Sequence, residues 1–419
     1  MARGSDAAGM PENAINLTKP HRLPPNVWVL TLTSLLTDIS SEMLINVLPL
    51  FLANVLGVRT TVIGLIEGIA ETTASLVKLY SGALSDRWQK RKRLAVLGYG
   101  LSALSKPFLY FAGSWGWVLG VRFADRVGKG IRTAPRDALL AGSVQPNQRG
   151  LAFGLHRAGD TAGAFIGLAL ATLIIWATQT NALSLSRQSF QWLVVASIIP
   201  AALSVLVLAL GAKEIELPQA RPGAPTLQRR WQALDGRFRA FLGVMVLFTL
   251  GNSADAFIIL RGQERGLSVL GVMGMLLTFN AVYSLLSGPL GSLSDRIGRP
   301  RLILSGWLLY SLIYLGFAAA QTGWQVWLLF GVYGVFYAAT EGTAKALVAD
   351  LVPAEYRGTA YGLFHAGVGL AVLPASVVAG LLWQGLGPWP GFGPAAPFLF
   401  GAAMALLAAV LFKRWLLHN

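Results

Sequence analysis

The chain contains no cysteine, which removes disulfides, thiolate metal centres and cysteine nucleophiles at once. Charge is scarce as well: 13% of the 419 residues are charged, against about a quarter in a soluble domain. Acid is the scarcer sign, with 19 acidic residues against 34 basic ones. A net charge of +15 would suit phosphate recognition, but no isolated hydrophilic stretch is large enough to form a nucleic-acid reader, so no such partner is expected. Also missing are a G-x-x-x-x-G-K-S/T nucleotide loop, an H-E-x-x-H helix and a G-x-S-x-G nucleophile elbow. Without them the chain has no recognisable catalytic centre, and neither enzyme activity nor a cofactor is expected. Four histidines and seven methionines, scattered, make no metal or copper site.

What is abundant is apolar sequence, 54% of all residues, gathered into runs long enough to cross a hydrocarbon core of about 30 Å as helices. The short alternating segments of a membrane barrel are absent. Hydropathy, breakers and charges place twelve helices near 26–54, 60–84, 93–112, 116–138, 149–177, 190–212, 239–261, 268–292, 302–320, 324–350, 357–384 and 395–413. The segment before Asn26 is polar and carries prolines, and the first apolar run is too long and too acidic for a cleavable signal. The first helix is therefore expected to remain.

Lysine and arginine set an orientation. Arg87, Lys90, Arg91, Lys92 and Arg93 fall on the same side as Arg136, Arg149, Arg296, Arg299, Arg301, Arg357, Lys413 and Arg414. The opposite side receives Arg59, Arg187, Arg261 and Arg265. Positive charge accumulates in the cytoplasm, so both termini are expected there, in a cell (inner) membrane. The expected organisation is a tail over 1–25, a six-helix bundle over 26–212, a cytoplasmic linker over 213–238 bearing Pro218, Pro222 and Pro225, and a second bundle over 239–419. An internal repeat supports the division. Gly82-Ala83-Leu84-Ser85-Asp86-Arg87 recurs as Gly291-Ser292-Leu293-Ser294-Asp295-Arg296, and Arg149-Gly150-Leu151-Ala152-Phe153-Gly154-Leu155 as Arg357-Gly358-Thr359-Ala360-Tyr361-Gly362-Leu363. Parallel six-helix repeats are an architecture of secondary transporters, with the site near the midplane between halves.

At these residues the sequence resembles the major facilitator superfamily over nearly its whole length. The loop after the second helix, Gly82 to Arg91, matches the family's G-x-L-x-D-R-x-G-R-R/K signature with Gln89 at the second glycine, and the copy from Gly291 to Arg299 keeps that glycine as Gly298. The resemblance implies twelve transmembrane helices in two pseudo-symmetric bundles, a monomer, and gating roles for Gly82, Asp86, Arg87, Lys90, Asp137, Gly291, Asp295, Arg296 and Arg299. By that analogy Asp86 would face Arg357, Asp295 would face Arg149, and Lys90 would pair with Asp137. Arg122 to Gly130 is similar to the family's fourth-helix motif, and Gly159, Gly163 and Gly167 resemble the drug/proton-antiporter motif of the fifth helix, with Ala164 where proline is usual. The same spacing also serves close helix packing anywhere in a membrane.

Charges inside the spans are costly and mark functional candidates. Asp38 and Glu42 share one face of the first helix, Glu67 and Glu71 one face of the second. Glu42, Asp38, Glu71 and Asp160 are the candidates for carrying a coupling proton, Glu42 first because it lies near mid-helix; structural salt bridges are the alternative. Candidates for substrate contact are Glu67, Arg122, Arg126, Arg157, His156, Asp255, Tyr337 and His365. Trp115, Trp117, Trp324, Trp327, Trp383 and Trp389 sit near outer ends, as interfacial anchors do. These features imply a secondary transporter that exchanges protons for small amphipathic or cationic compounds, with the proton gradient as its energy source. Import of a nutrient, metal chelate or organic anion, clamped by Arg122, Arg126 and Arg157, is the alternative on the same fold. A sensor without transport would call for an added signalling domain, which the linker is too short to hold. Because the chain has no native cysteine, single cysteines report orientation cleanly. An impermeant maleimide added to intact cells should label Asn181→Cys and leave Ala220→Cys unmodified; the reverse pattern would invert the topology.

Overall fold

The computed structural model describes residues 23–88, 90–145, 149–179, 181–215, 235–352 and 357–416, with side chains at all but 82–83, 86–87, 149–151, 357–359 and 415–416. Twelve helical rods follow one another: α1 (Pro25–Val55), α2 (Thr60–Trp88), α3 (Arg91–Phe111), α4 (Trp115–Gly142), α5 (Arg149–Thr178), α6 (Arg187–Gly211), α7 (Gly236–Glu264), α8 (Val269–Ile297), α9 (Arg299–Ala319), α10 (Gly323–Leu351), α11 (Arg357–Gln384) and α12 (Ala396–Leu416). Among the described residues, nine are long and apolar enough to cross a membrane. The other three, α2, α4 and α10, are as long but carry Glu67, Glu71, Arg122, Arg126, Glu341 and Lys345. Several rods outrun their apolar runs at the basic end, α2 reaching Trp88 and α4 Gly142, because a helix continues through polar residues once it leaves hydrocarbon.

Local chemistry explains where the rods begin and end. Ser114, Ser186 and Ser268 accept the N–H groups of Trp117, Ser189 and Gly271 at the starts of α4, α6 and α8, and Thr322 with Gln325 forms a capping box on α10. The turn between α8 and α9 places Gly298 at φ +91°, a left-handed conformation that explains why this copy of the signature keeps its glycine. Two of the outer arginines, Arg187 and Arg261, are also caps. Arg261, expected at the outer end of the seventh helix, is fully buried; it donates to the carbonyls of Phe317, Ala318 and Ala320 at 3.0–3.2 Å, closing the C-terminus of α9, and pairs with Glu264 at 2.5 Å. Arg187 does the same for α3, donating to the Ala112 carbonyl at 2.8 Å. Ala112 and Ala320 are equivalent by the repeat, so two unrelated arginines meet the same need in each half.

The packing is inverted relative to a soluble protein. Arg122, Arg126, Glu67 and Lys106 are buried, whereas Leu210, Trp176, Leu104 and Leu312 are exposed, an apolar exterior suited to lipid. Trp383 and Trp327 depart from the anchoring expectation. Trp383 packs against Phe257 and Phe398, and Trp327 is half-buried and donates to Thr278 at 3.0 Å. Trp115, Trp117, Trp324 and Trp389 are exposed. Aromatic mass gathers in the second half, where Phe248, Trp307, Tyr310, Tyr314, Tyr333 and Phe336 stack and cross edges.

The halves meet more tightly at one end than at the other. At the end opposite the basic loops, Gln384 of α11 accepts the Thr60 N–H and hydroxyl at 2.8 and 3.2 Å, and Thr61 donates to Gly380 and Gly385 carbonyls at 3.0 and 2.7 Å. Gln263 joins Asn54 and the Leu183 carbonyl at 2.7 Å across the same seam. Toward the basic end Tyr80 and Leu285 are exposed, and Gly288 and Gly291 face open space. This structure is therefore sealed at the end away from the basic loops and looser toward them, although α2 and α11 stay in touch as far as Thr72, which donates to the Gly369 carbonyl at 2.7 Å, and Leu79, beside Gly362. A side chain at Gly380 would meet Thr61 Cα at 2.5 Å and the Thr60 carbonyl oxygen at 2.9 Å, so Gly380→Leu should wedge the closed end apart. Labelling of buried Ile259→Cys from that side should rise severalfold on the Gly380→Leu background; an unchanged rate would show that α2 and α11 do not hold the seal.

Candidate substrate cavity and charge network

The leading helix of each half is broken where it crosses the interior. Regular bonding lapses in α1 at Asn46–Val47 and in α7 at Asn252–Asp255, and unwound backbone at membrane depth is tolerated only where protein or a cavity surrounds it. Asparagine sits at both breaks. Asn46 turns back on its own helix, donating to the Glu42 carboxylate at 2.7 Å. Asn252 is held from the other side: the hydroxyls of Tyr310, Tyr314 and Tyr333 converge on its Oδ1 at 3.3, 3.5 and 3.3 Å.

Between the breaks lies a cavity of about 350 Å³ walled by Asn46, Glu67, Glu71, Asn252, Asp255 and Tyr337, among others. A second, of about 290 Å³, shares Asn252, Tyr337 and Val372 with it and adds Trp307, Glu341, Lys345 and His365. Together they have the size and mixed lining of a small-molecule site.

The carboxylates of the first cavity are not alike. Glu67 is buried and bonds Arg122 at 2.5 Å; Glu71 meets Arg126 at 3.3 Å. Both arginine side chains are 4% exposed or less, lying behind the carboxylates they neutralise. Asp255, half-buried on the break of α7, has no basic partner among the described residues; the groups that act on it are the Tyr333 hydroxyl and the Glu71 carboxylate. Glu67 and Glu71 each have an arginine, which leaves Asp255 as the cavity carboxylate without a basic partner among the described residues.

At the open mouth the two halves touch through a polar chain. Arg157 of α5 donates to the Tyr283 hydroxyl at 3.1 Å, Tyr283 donates to Glu341 at 2.6 Å, and Glu341 pairs with Lys345 at 2.8 Å. Arg157 is thus a mouth residue, 59% exposed. His365 faces the second cavity, while His156 is buried on α5 with its Nδ1 3.7 Å from Asp160. The histidines share no site, and no group of three metal-ligating side chains occurs among the described residues. Tyr337 lines both cavities; Tyr333 belongs to the aromatic core, and Phe123 is exposed and lines neither. Lys106, 5% exposed, donates to Ser40 and Ser41 at 2.6 and 3.1 Å.

The gating residues are only partly described. Asp86, Arg87, Arg149 and Arg357 lie outside the described side chains, as does that of Gly82. Lys90 does not meet Asp137 here: Asp137 pairs with Arg136 at 2.8 Å and Lys90 is exposed at the start of α3. Asp295 turns to Arg299 at 3.3 Å, and Arg299 also pairs with Asp350 within the second half. Arg296 is exposed. Among the described residues, Asp137, Asp295 and Arg299 thus pair with neighbours in their own halves. Sequence reasoning missed Asn46 and Asn252 as site residues, though an asparagine interrupting the leading apolar run of each half was a signal available to it.

Removing Arg122 strands the buried Glu67 carboxylate, at a cost of about 3–5 kcal/mol. Arg122→Ala should therefore lower the thermal unfolding midpoint in detergent, and the double variant Glu67→Gln with Arg122→Gln should recover most of the loss. Equal destabilisation in both would mean that packing, not charge pairing, holds this layer.

Comparison with known proteins accords with this architecture. The chain matches the family model described as Major Facilitator Superfamily over residues 30–280 and 240–419. It is 34% identical over 402 residues, covering 94% of this chain and 96% of the relative, to "Uncharacterized MFS-type transporter MJ1317" of Methanocaldococcus jannaschii. Among solved structures, a point mutant of the nucleoside transporter NupG superposes with TM-score 0.78 at 14% identity over 93% of this chain and all of the other. A bacterial homolog of the human lysosomal transporter Spinster, inward-facing and unoccupied, gives 0.72 at 17% identity, over 96% and 98% of the two chains. With twelve rods, two broken leading helices, a doubled signature and a family match spanning both halves, this chain belongs to the Major Facilitator Superfamily of membrane transporters.

Proposed function

We propose that this transporter is a proton-coupled antiporter that exports small amphipathic cations across the cytoplasmic membrane by alternating access. One observation carries the substrate class: Asp255 is the cavity carboxylate without a basic partner, facing a wall that includes Tyr337 and Ile259. A monovalent cation with an apolar body supplies the missing charge and fills the remaining space. The same geometry counts against the anion-clamp alternative. Arg122 and Arg126 are committed to Glu67 and Glu71, so an entering anion would have to displace buried carboxylates. With the basic loops cytoplasmic, the open end faces the cytoplasm, from which an exporter loads. The glycines at 159, 163 and 167 on α5 support the antiporter reading. Protons from the gradient supply the driving force, and acidic residues outside the lone Asp255 are available to bind them.

Proteoliposomes with an imposed pH gradient and a panel of ethidium, a neutral aromatic of similar size and an aromatic carboxylate test this. Ethidium should be moved in preference to the others, and Asp255→Asn should reduce its uptake tenfold or more, equivalent to about 1.4 kcal/mol of lost interaction. Preference for the carboxylate, or ethidium flux unaltered by Asp255→Asn, would overturn the proposal.

A further inference from the structure

The contact between α1 and α5 contains a second charged cluster that the cavity does not use. Gly159, Gly163 and Gly167 present a bare strip to α1; a side chain at Gly159 would meet Thr31 Cγ2 at 2.7 Å, and one at Gly163 would lie 3.1 Å from Asp38 Cβ. Asp38 therefore sits at the closest approach of the two helices, beside the turn of α5 that bears Asp160. The two carboxylates are thus within electrostatic reach of each other across the interface. Asp38 has neither a hydrogen bond nor an ion pair with a described residue, and Asp160 leaves its Oδ1 unsatisfied. One turn away, His156 is 3% exposed, and neither of its ring nitrogens has a hydrogen-bond partner. Buried polar atoms without partners are rare in folded proteins, and here two neighbouring side chains, Asp160 and His156, supply three of them beside the half-buried Asp38.

The charged groups facing this cluster come from α1, α3, α4 and α5. α4 offers Lys129, whose ammonium has no described hydrogen bond or ion pair, and Arg132, which stacks on Tyr99 of α3 at 4.2 Å. Arg136 is tied to Asp137 and, with Arg157, acts on His156. Glu42, one turn along α1, is already held by Asn46 at 2.7 Å, and Lys106 of α3 by Ser40 and Ser41. Two carboxylates in mutual range cannot both stay ionised cheaply in a low-dielectric interior; one proton shared between them removes that repulsion.

We infer that Asp38 and Asp160 form one shared proton site between α1 and α5, with His156 as the residue that passes the proton to and from it. This rests on the proton-coupled reading above and locates its proton away from the cation. One proton enters, the pair goes from two negative charges to one, and the same proton leaves through the imidazole, so nothing else is consumed. Neither carboxylate lines the two cavities. The cation and the proton thus occupy different carboxylates and communicate through the movement of α1 and α5.

Infrared titration of the full chain in nanodiscs tests the site without any substrate. A protonated-carboxyl band should titrate in the wild type, be lost in Asp38→Asn and in Asp160→Asn, and persist in Glu42→Gln. His156→Gln should keep the band but displace its midpoint by about one pH unit, as when a group sharing the proton stops titrating. Unfolding midpoints near that of the wild type would show that the variants fold, and where one does not, the other asparagine variant carries the test. Persistence of the band in a folded asparagine variant, or an unmoved midpoint in His156→Gln, would overturn the assignment. Failure to move ethidium would instead sink the export reading and leave this titration intact.

Discussion

Ionic groups held inside a hydrocarbon-thick bundle govern the rest of this structure. A lone charge there costs several kcal/mol, so each one must be balanced, hydrated by a cavity, or left waiting for a ligand. The first half shows two of these solutions side by side. Arg122 and Arg126 stand behind Glu67 and Glu71 and neutralise them, and Lys106 is solvated by two serines. The second half puts its few charges, Asp255, Glu341, Lys345 and His365, on cavity walls and fills its interior with aromatic rings. One half is rigidified by ion pairs and the other by stacked rings, which gives the cavity a charged wall facing an aromatic one.

The same constraint explains why the two halves resemble each other where their sequences do not. Backbone carbonyls at the ends of α3 and α9 require donors at the same depth, and arginines from different helices, Arg187 and Arg261, reach Ala112 and Ala320. Both leading helices unwind beside the cavity, and both place an asparagine at the break, one leaning on Glu42 and the other on three tyrosines. Pseudo-symmetry here is a symmetry of unmet hydrogen bonds, satisfied each time by whatever side chain lies within reach. Where the cavity is sealed, polar caps and bare glycine faces let α2 and α11 touch; toward the basic end, Asp137 and Asp295 pair with neighbouring arginines of their own half.

Much of this was written in the linear chain, and the reason is geometric. Length and apolarity suffice to announce a membrane-crossing helix, so the twelve rods, their order and the doubled signature were legible, as was the crowding of charge into α1, α2, α4 and α5. What the chain alone left undetermined is pairing. Glu67, Glu71 and Asp255 look alike as carboxylates in apolar runs, and only packing puts an arginine behind the first two and, among the described residues, none behind the third. Arg261 looks like a charge at an outer helix end until the fold tucks it under α9, and Trp383 looks like an interfacial anchor until it meets Phe257 and Phe398. Hydropathy is a property of each residue and survives reading one position at a time. Charge compensation is a property of distances between helices far apart in sequence, so the tertiary structure decided which ions are at rest and which remain to be met.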